Sequence, residues 1–491
     1  MKRINKNMKK IYSLVFTAAV IMIAACKPGD FGDVNVSPTI PASAPAKSLL
    51  TNSLQSLPGT VFGNSTANFY VQYLSEGPYP GASLYNGKNF SWSGYYAGPM
   101  FNLQTIIDFN NANSALASES VNGAKVNQLA VARILKAYYF WWLTDRYGNI
   151  PYTEALKGGA DFTPKYDTQQ SIYYALFTEL KQAHDQINVN AAGVTGDILF
   201  NGDMAMWKKF ANTTRLFMAL RLIKNDYAKG KTEFAAAITD GVLTSNADNV
   251  VYSYIGSDPN NWNPWYANYT VSNRNDYAIS KTLVDYMGPK GDPRLPIYGE
   301  TGFSGGTSYL GVKGLAYGSS SATNIPYAYS RIGDAFRSAG SPAYVYTYAQ
   351  VAFALAEGAK VAYITGGDAQ AQIHYEDAIE ASWDQYGVYD ATDFATYIAQ
   401  SGVAYSAATG LQQIIEQKWV HQYLNGYEAW ADWRRTGFPV LTPAGSSVDA
   451  RGIPRRQGYP SNEGAINGAN YSAVVTAQGA DDNYTKMWWD L

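Results

Sequence analysis

Cysteine is nearly missing from this chain of 491 residues: Cys26 is the only one. A lone thiol excludes an internal disulfide, a zinc site built on several cysteines and a cysteine-held iron–sulfur centre. Histidine is almost as scarce. His184, His374 and His421 each sit in a stretch of helical pattern and read as packing or surface residues rather than ligands. That scarcity counts against metal-based and acid–base enzymes. Charged residues make up only 15% and the formal net charge is −2, so no basic field attracts nucleic acid or an anionic membrane. There is no Walker glycine loop, no H-E-x-x-H helix and no dinucleotide-binding glycine fingerprint, so no cofactor is expected.

What is abundant is aromatic. The chain carries 40 tyrosines and 12 tryptophans, and 46% of its residues are hydrophobic. At about 150 residues per domain the length allows two or three domains with a large core. Tyrosine and tryptophan have an apolar body and a polar tip, which suits wet interfaces with sugars or peptides as well as helix packing.

Residues 1–25 have the plan of an export signal. Lys2, Arg3, Lys6, Lys9 and Lys10 give a basic start, and Ile11 to Ala25 is a fifteen-residue apolar run. A membrane-spanning helix needs about 20 such residues. The run closes on Ile23-Ala24-Ala25-Cys26, which resembles a bacterial lipobox, so Cys26 is expected to carry a lipid. Residues 26–46 hold Pro28, Pro38, Pro41 and Pro45 with few large apolar side chains, the composition of an extended tether.

From residue 47 helical periodicity dominates. Helix pairs are expected near 100–147, 168–224, 343–385 and 408–436, with shorter helices at Ala46–Ser56 and Asn68–Leu74. Between the second and third pairs, residues 245–342 crowd Gly, Ser, Asn, Pro and Tyr, which marks an irregular, loop-rich subdomain with a helix near Asp276–Met287. The fold class is mainly α. Pairs of this size suggest tetratricopeptide-like units, although the strict consensus and even spacing of such repeats are absent.

Three constellations bear on chemistry. Gly302-Phe303-Ser304-Gly305-Gly306 matches the G-x-S-x-G nucleophile elbow, but the flanks lack the strand and helix that would strain the serine. Asp481-Asp482 could offer oxygen ligands to calcium; a solvated acidic turn is the simpler reading. The aromatic loops carry more. Tyr79, Tyr85, Trp92, Tyr95 and Tyr96 lie in residues 76–99, and Trp262, Trp265, Tyr266 and Tyr269 lie in N-N-W-N-P-W-Y-A-N-Y. Aromatic faces stack on sugar C–H surfaces while asparagine amides bond hydroxyls, so Tyr79, Tyr85, Trp92, Tyr95, Trp262, Trp265, Tyr266 and Tyr269 are the candidate ligand contacts.

The stretch Q-Q-I-I-E-Q-K-W-V-H-Q-Y-L-N-G-Y-E-A-W-A-D-W-R-R-T-G-F-P, residues 412–439, reads as two helices broken at Asn425-Gly426. Tyr427, Trp430 and Trp433 share one side of the second helix and are expected to be buried. Glu428, Asp432 and Arg435 share another, as ion pairs over its lip. N-G-Y-E-A-W-A-D-W-R-R-T-G-F-P resembles the C-terminal signature of SusD/RagB-type outer-membrane lipoproteins, in their second SusD-like subfamily. Ile453-Pro454-Arg455-Arg456, Tyr459-Pro460, Asn462-Glu463, Lys486-Met487-Trp488-Trp489-Asp490 and the L-K-A-Y…D-R-Y-G-x-I-P-Y run of residues 135–152 agree with it. The resemblance covers nearly the whole chain from Cys26. It implies a SusD-like domain over 47–491 with four tetratricopeptide-like helix pairs. It further implies a surface-exposed lipoprotein of the outer membrane that binds oligosaccharides, or peptides as in the RagB branch, without chemistry. The implied partner is a SusC-like TonB-dependent transporter. A secreted hydrolase using Ser304 or a carboxylate pair is the alternative of a different class.

Overall fold

The computed structural model describes residues 44–62, 65–319, 321, 323–325, 328–447 and 449–490. The leader, Cys26 and most of the tether lie outside the described residues. From Ala46 onward the chain forms one compact unit.

Helices set its frame. Those used below are α1 (Ala46–Gln55), α2 (Ser65–Tyr70), α3 (Phe101–Asn111), α4 (Lys125–Tyr147), α5 (Gln169–Gln186), α6 (Met204–Arg221), α7 (Tyr227–Asp240), α8 (Lys281–Met287), α9 (Tyr348–Lys360), α10 (Gly367–Gln385), α11 (Ala391–Ile398), α12 (Gly410–His421), α13 (Gly426–Thr436) and α14 (Gly468–Gln478). The first runs in sequence-neighbour order: α4 packs on α3 and α5, and α6 on α5 and α7. α9 packs on α10, and α12 on both. The middle and end of α4 are buried on every side, from Ala137 to Tyr147: Ala137–Leu143 is hydrophobic all round, and the buried Asp145 and Arg146 are met by Arg221 and Gln457. Gly148, at φ +81°, ends it in a conformation that only glycine adopts cheaply.

Helices occupy much of residues 101–147, 169–221, 348–385 and 410–436. Residues 343–346 do not belong to α9. Ala343–Tyr346 alternates as a strand, here β4, and pairs antiparallel with β2 (Val250–Tyr252). Thr347 and Gln350 then form a capping box that starts α9 one residue later. α7, α11 and α14 lie outside the expected pairs. The described helices of the loop-rich stretch 245–342 are short, α8 being the longest at seven residues, and its short strands tie it back to the frame. Its β3 (Tyr277–Ile279) runs antiparallel to β1 (Leu74–Glu76).

Two expectations for residues 412–439 are corrected. The left-handed residue between α12 and α13 is Leu424, at φ +67°, rather than Asn425 or Gly426. Gly426 already belongs to α13, and it is glycine because a Cβ there would meet the Asn68 backbone nitrogen at 2.4 Å, where α2 crosses. The charges are not at a lip. Asp432 pairs with Lys418 at 2.8 Å and Arg435 at 2.6 Å, Arg435 also pairs with Glu357, and all four side chains are buried.

That cluster continues. Arg221 from α6 reaches Glu428 at 2.6 Å and Asp145 at 3.2 Å, and Asp145 also accepts hydrogen bonds from the Trp489 indole at 3.0 Å and from Tyr173. The Arg434 guanidinium donates to the Asp145 carbonyl at 2.8 Å and lies 3.6 Å over the Trp430 ring. The signature residues of α4, α13 and the C-terminal segment therefore meet in one buried staple. Their distance in sequence hides a common place in the core.

Candidate functional site

The β1–β3 ladder decides where the aromatic loops go. Leu74 pairs with Ile279 and Glu76 with Tyr277, and the Gly77 amide then donates to the Asp276 carbonyl at 2.9 Å. The loop leaving β1 and the segment arriving at β3 are thereby held side by side. Tyr79, at the tip of the first, is 64% exposed. Arg274, on the second, places its guanidinium 5.3 Å from the Tyr79 ring centre and is itself oriented by Asp276 at 2.6 Å. An aromatic face beside a fixed guanidinium offers both stacking and hydrogen-bond donors. Neither Arg274 nor Asp276 stands out in the sequence, because their value depends on the ladder.

The tryptophan loop divides by helical spacing. Asn263 is buried; its side-chain oxygen accepts from the Trp265 amide at 2.8 Å and its amide nitrogen donates to the Ser341 carbonyl at 2.8 Å. This cap begins a short helical turn at Pro264, where proline fits the first position. Residues four apart then share a face. Trp265 and Tyr269 turn inward. Trp265 meets Phe62 and Tyr277 edge-on at 6.4 and 5.7 Å, and the Tyr269 hydroxyl donates to the Tyr277 carbonyl at 3.0 Å. Trp262 and Tyr266 form the other pair, half-buried and 5.1 Å apart, with the Trp262 indole donating to the Gly256 carbonyl at 2.8 Å. The i, i+4 split was visible in the sequence once a helical turn is assumed.

Loop position does not keep the remaining candidates exposed. Tyr85 is buried between Tyr70 and Tyr317, at 6.0 and 6.4 Å. Tyr95 lies 4.5 Å from Trp142, half-covered, and burial pushes its phenol up to about 12. Trp92 is buried in a cage with Tyr147 and Tyr459 at 5.0 and 5.4 Å, and Tyr96 closes one side. The expectation of open faces is corrected for Tyr85, Trp92, Trp265 and Tyr269: loop aromatics here anchor loops. Tyr79, Trp262 and Tyr266 keep accessible surface.

Beside the Trp92 cage opens a cleft of about 570 Å³. Phe101, Phe162, Leu156 and Ile466 contribute its apolar walls and Glu463 a carboxylate. No sequence pattern marks it, since its walls come from residues 91–101, 151–164 and 460–467.

The chemical alternatives meet their surroundings. Ser304 lies exposed in an irregular loop, without the strand-to-helix turn of a nucleophile elbow. Asp481 accepts from the Tyr459 amide at 3.0 Å and pairs with Arg456 at 3.2 Å; Asp482 pairs with Arg451 at 2.6 Å. His421 is enclosed by Thr347 and Ser382 at 2.7 and 2.9 Å, and burial, with Arg294 and Lys418 nearby, pushes it down to about 3. It is a neutral packing residue. No helix among the described residues is long and apolar enough to cross a membrane.

The frame of stacked helices with a loop-rich insertion is that of the SusD-type nutrient-binding proteins, and residues 38–460 match a family model described as "Starch-binding associating with outer membrane". The chain belongs to this SusD-like family. Among solved structures it is similar to a chitin-binding protein at 29% identity and a TM-score of 0.77, covering 91% of this chain and 100% of that one. It is also similar to a chitin-binding SusD homologue from Flavobacterium johnsoniae, at 26% identity and a TM-score of 0.71 over 91% and 98% of the chains. A SusD homologue from Bacteroides uniformis matches at 25% identity and a TM-score of 0.75 over 91% and 99%. No curated protein matches the sequence.

Proposed function

We propose that this protein is a glycan-capture lipoprotein, held at the cell surface by an acylated Cys26, that binds oligosaccharides without chemistry. It passes them to a SusC-like TonB-dependent transporter. The observation that carries this reading is the set of accessible aromatic side chains on the two segments that the β1–β3 ladder joins. Tyr79 stands on the first, and Arg274, Trp262 and Tyr266 stand on the second. Family membership and the chitin-binding proteins of similar structure support a sugar over a peptide as ligand.

The surface is tested by calorimetric titration with chito- and malto-oligosaccharides. Losing one stacking face costs about 1–3 kcal/mol, so Trp262→Ala or Tyr79→Ala should weaken binding roughly ten- to a hundred-fold. The melting temperature should stay near wild type. Trp265→Ala differs: its ring is buried, so that variant should melt earlier. Wild-type affinity in both Trp262→Ala and Tyr79→Ala would overturn the platform, and binding confined to peptide pools would favour the RagB-like alternative. Anchoring is tested separately. Cys26→Ala should move the protein from the membrane fraction to the soluble fraction; unchanged fractionation contradicts lipidation.

A further inference from the structure

The cleft beside Trp92 has a built floor. Glu463 is 5% exposed, Tyr166 donates a hydrogen bond to it, and no lysine or arginine of the described residues pairs with it. The charge that faces it is another acid, Asp481; burial raises Glu463 above the usual carboxylate range, and hydrogen bonds from Tyr166 and Trp92 partly offset that. Lys157, at the rim, is engaged with Asp161 at 4.0 Å. A buried carboxylate normally has a counter-ion or enough donors to fill its lone pairs. Here two donors come from the protein and the cleft side is left to a ligand.

The walls supply the opposite chemistry. Phe162 is 80% exposed, and Phe101 and Ile466 are exposed as well. Phe101 lies over Gly158, whose added Cβ would touch its ring at 3.6 Å, and Phe162 stands beside Gly159 in the same turn. Large apolar side chains left open around a concave site mark ligand contact. The volume of about 570 Å³ falls within the roughly 300–1,000 Å³ of small-molecule sites.

From this pairing of apolar walls with a donor-seeking carboxylate, we propose that the cleft is a second carbohydrate subsite that takes an N-acetylated hexosamine unit. Its acetamido methyl packs on Phe101 and Phe162, and its amide N–H or a hydroxyl donates to Glu463. A plain hexose also matches the carboxylate and can stack a C–H face on one ring, but it brings no methyl group to the apolar wall. A cationic peptide side chain would match Glu463 alone. The inference rests on the reading that the protein binds oligosaccharides, yet it concerns a separate place in the fold.

The experiment titrates chitobiose and cellobiose against wild type, Trp262→Ala, Phe162→Ala, Glu463→Gln and the double variant Trp262→Ala with Phe162→Ala, with saturation-transfer NMR on the acetamido methyl. Phe162→Ala changes an exposed side chain and should fold as wild type. It should weaken chitobiose binding in the Trp262→Ala background about ten-fold and remove the methyl saturation, while cellobiose binding changes little. Glu463→Gln should weaken chitobiose binding similarly. If Phe162→Ala and Glu463→Gln leave chitobiose affinity and methyl saturation unchanged while Trp262→Ala abolishes both, the cleft assignment fails and the platform stands. If wild type binds neither sugar, both readings fail together.

Discussion

Replacing Asp432 by asparagine is expected to destabilise the fold by about 3–5 kcal/mol, the cost of removing one partner from a buried ion pair. The case is severe because Asp432 faces three cations: Lys418 at 2.8 Å, Arg435 at 2.6 Å and Arg221 at 3.7 Å. Burial alone would raise its carboxyl, but these cations hold it well below the usual range. A depressed carboxylate contributes stability that is complete above the unfolded-state value of about 3.9 and is lost as pH falls below it. Denaturant unfolding at pH 7 and pH 3 checks both points. The deficit of Asp432→Asn should be largest at pH 7 and narrow toward pH 3. Adding Lys418→Met should recover part of the loss, since it removes one stranded cation. A loss under about 1 kcal/mol, in the range of exposed pairs, would show that the cluster is solvated.

The second large effect concerns Trp430. It is fully buried, 5.1 Å from Tyr70 of α2, with Arg434 stacked on its other side and its indole donating to the Pro454 carbonyl at 2.8 Å. Trp430→Ala should cost about 3–5 kcal/mol from lost burial and the cavity left behind. Trp433 shares its face but is only half-buried, under Arg455 at 4.9 Å, and its replacement should cost distinctly less. Equal losses at the two sites would show that α13 packs differently. Glycan affinity of folded Trp430→Ala should match wild type, because the ring lies in the core rather than on either candidate surface. A stable variant with lost binding would move the site to α13.

This contrast explains what could be read early. Residues 412–439 announce two helices and a buried aromatic side because helical periodicity is local. They do not announce that Asp432 and Arg435 are buried and Glu428 half-buried. Charges on a helix face solvent unless another element covers them, and the covering residues Arg221 and Glu357 stand on α6 and α9. Likewise the i, i+4 spacing of Trp262, Trp265, Tyr266 and Tyr269 shows that the loop has two faces. Which face is inner follows from Phe62 and Tyr277, which pack edge-on against Trp265 in the folded chain.

The sequence alone determined the class: a mainly helical chain with one cysteine, few histidines, a leader-like start and the signature residues of its family. These are properties of composition, period and contiguous motif, which need no partner in space. Tertiary structure decided exposure. It buried Tyr85, Trp92, Trp265 and Tyr269, left Tyr79 and Trp262 accessible, set Arg274 beside Tyr79, and drew residues from three distant segments into the Glu463 cleft. Exposure depends on what packs against a side chain. For these residues the packing elements lie far away along the chain.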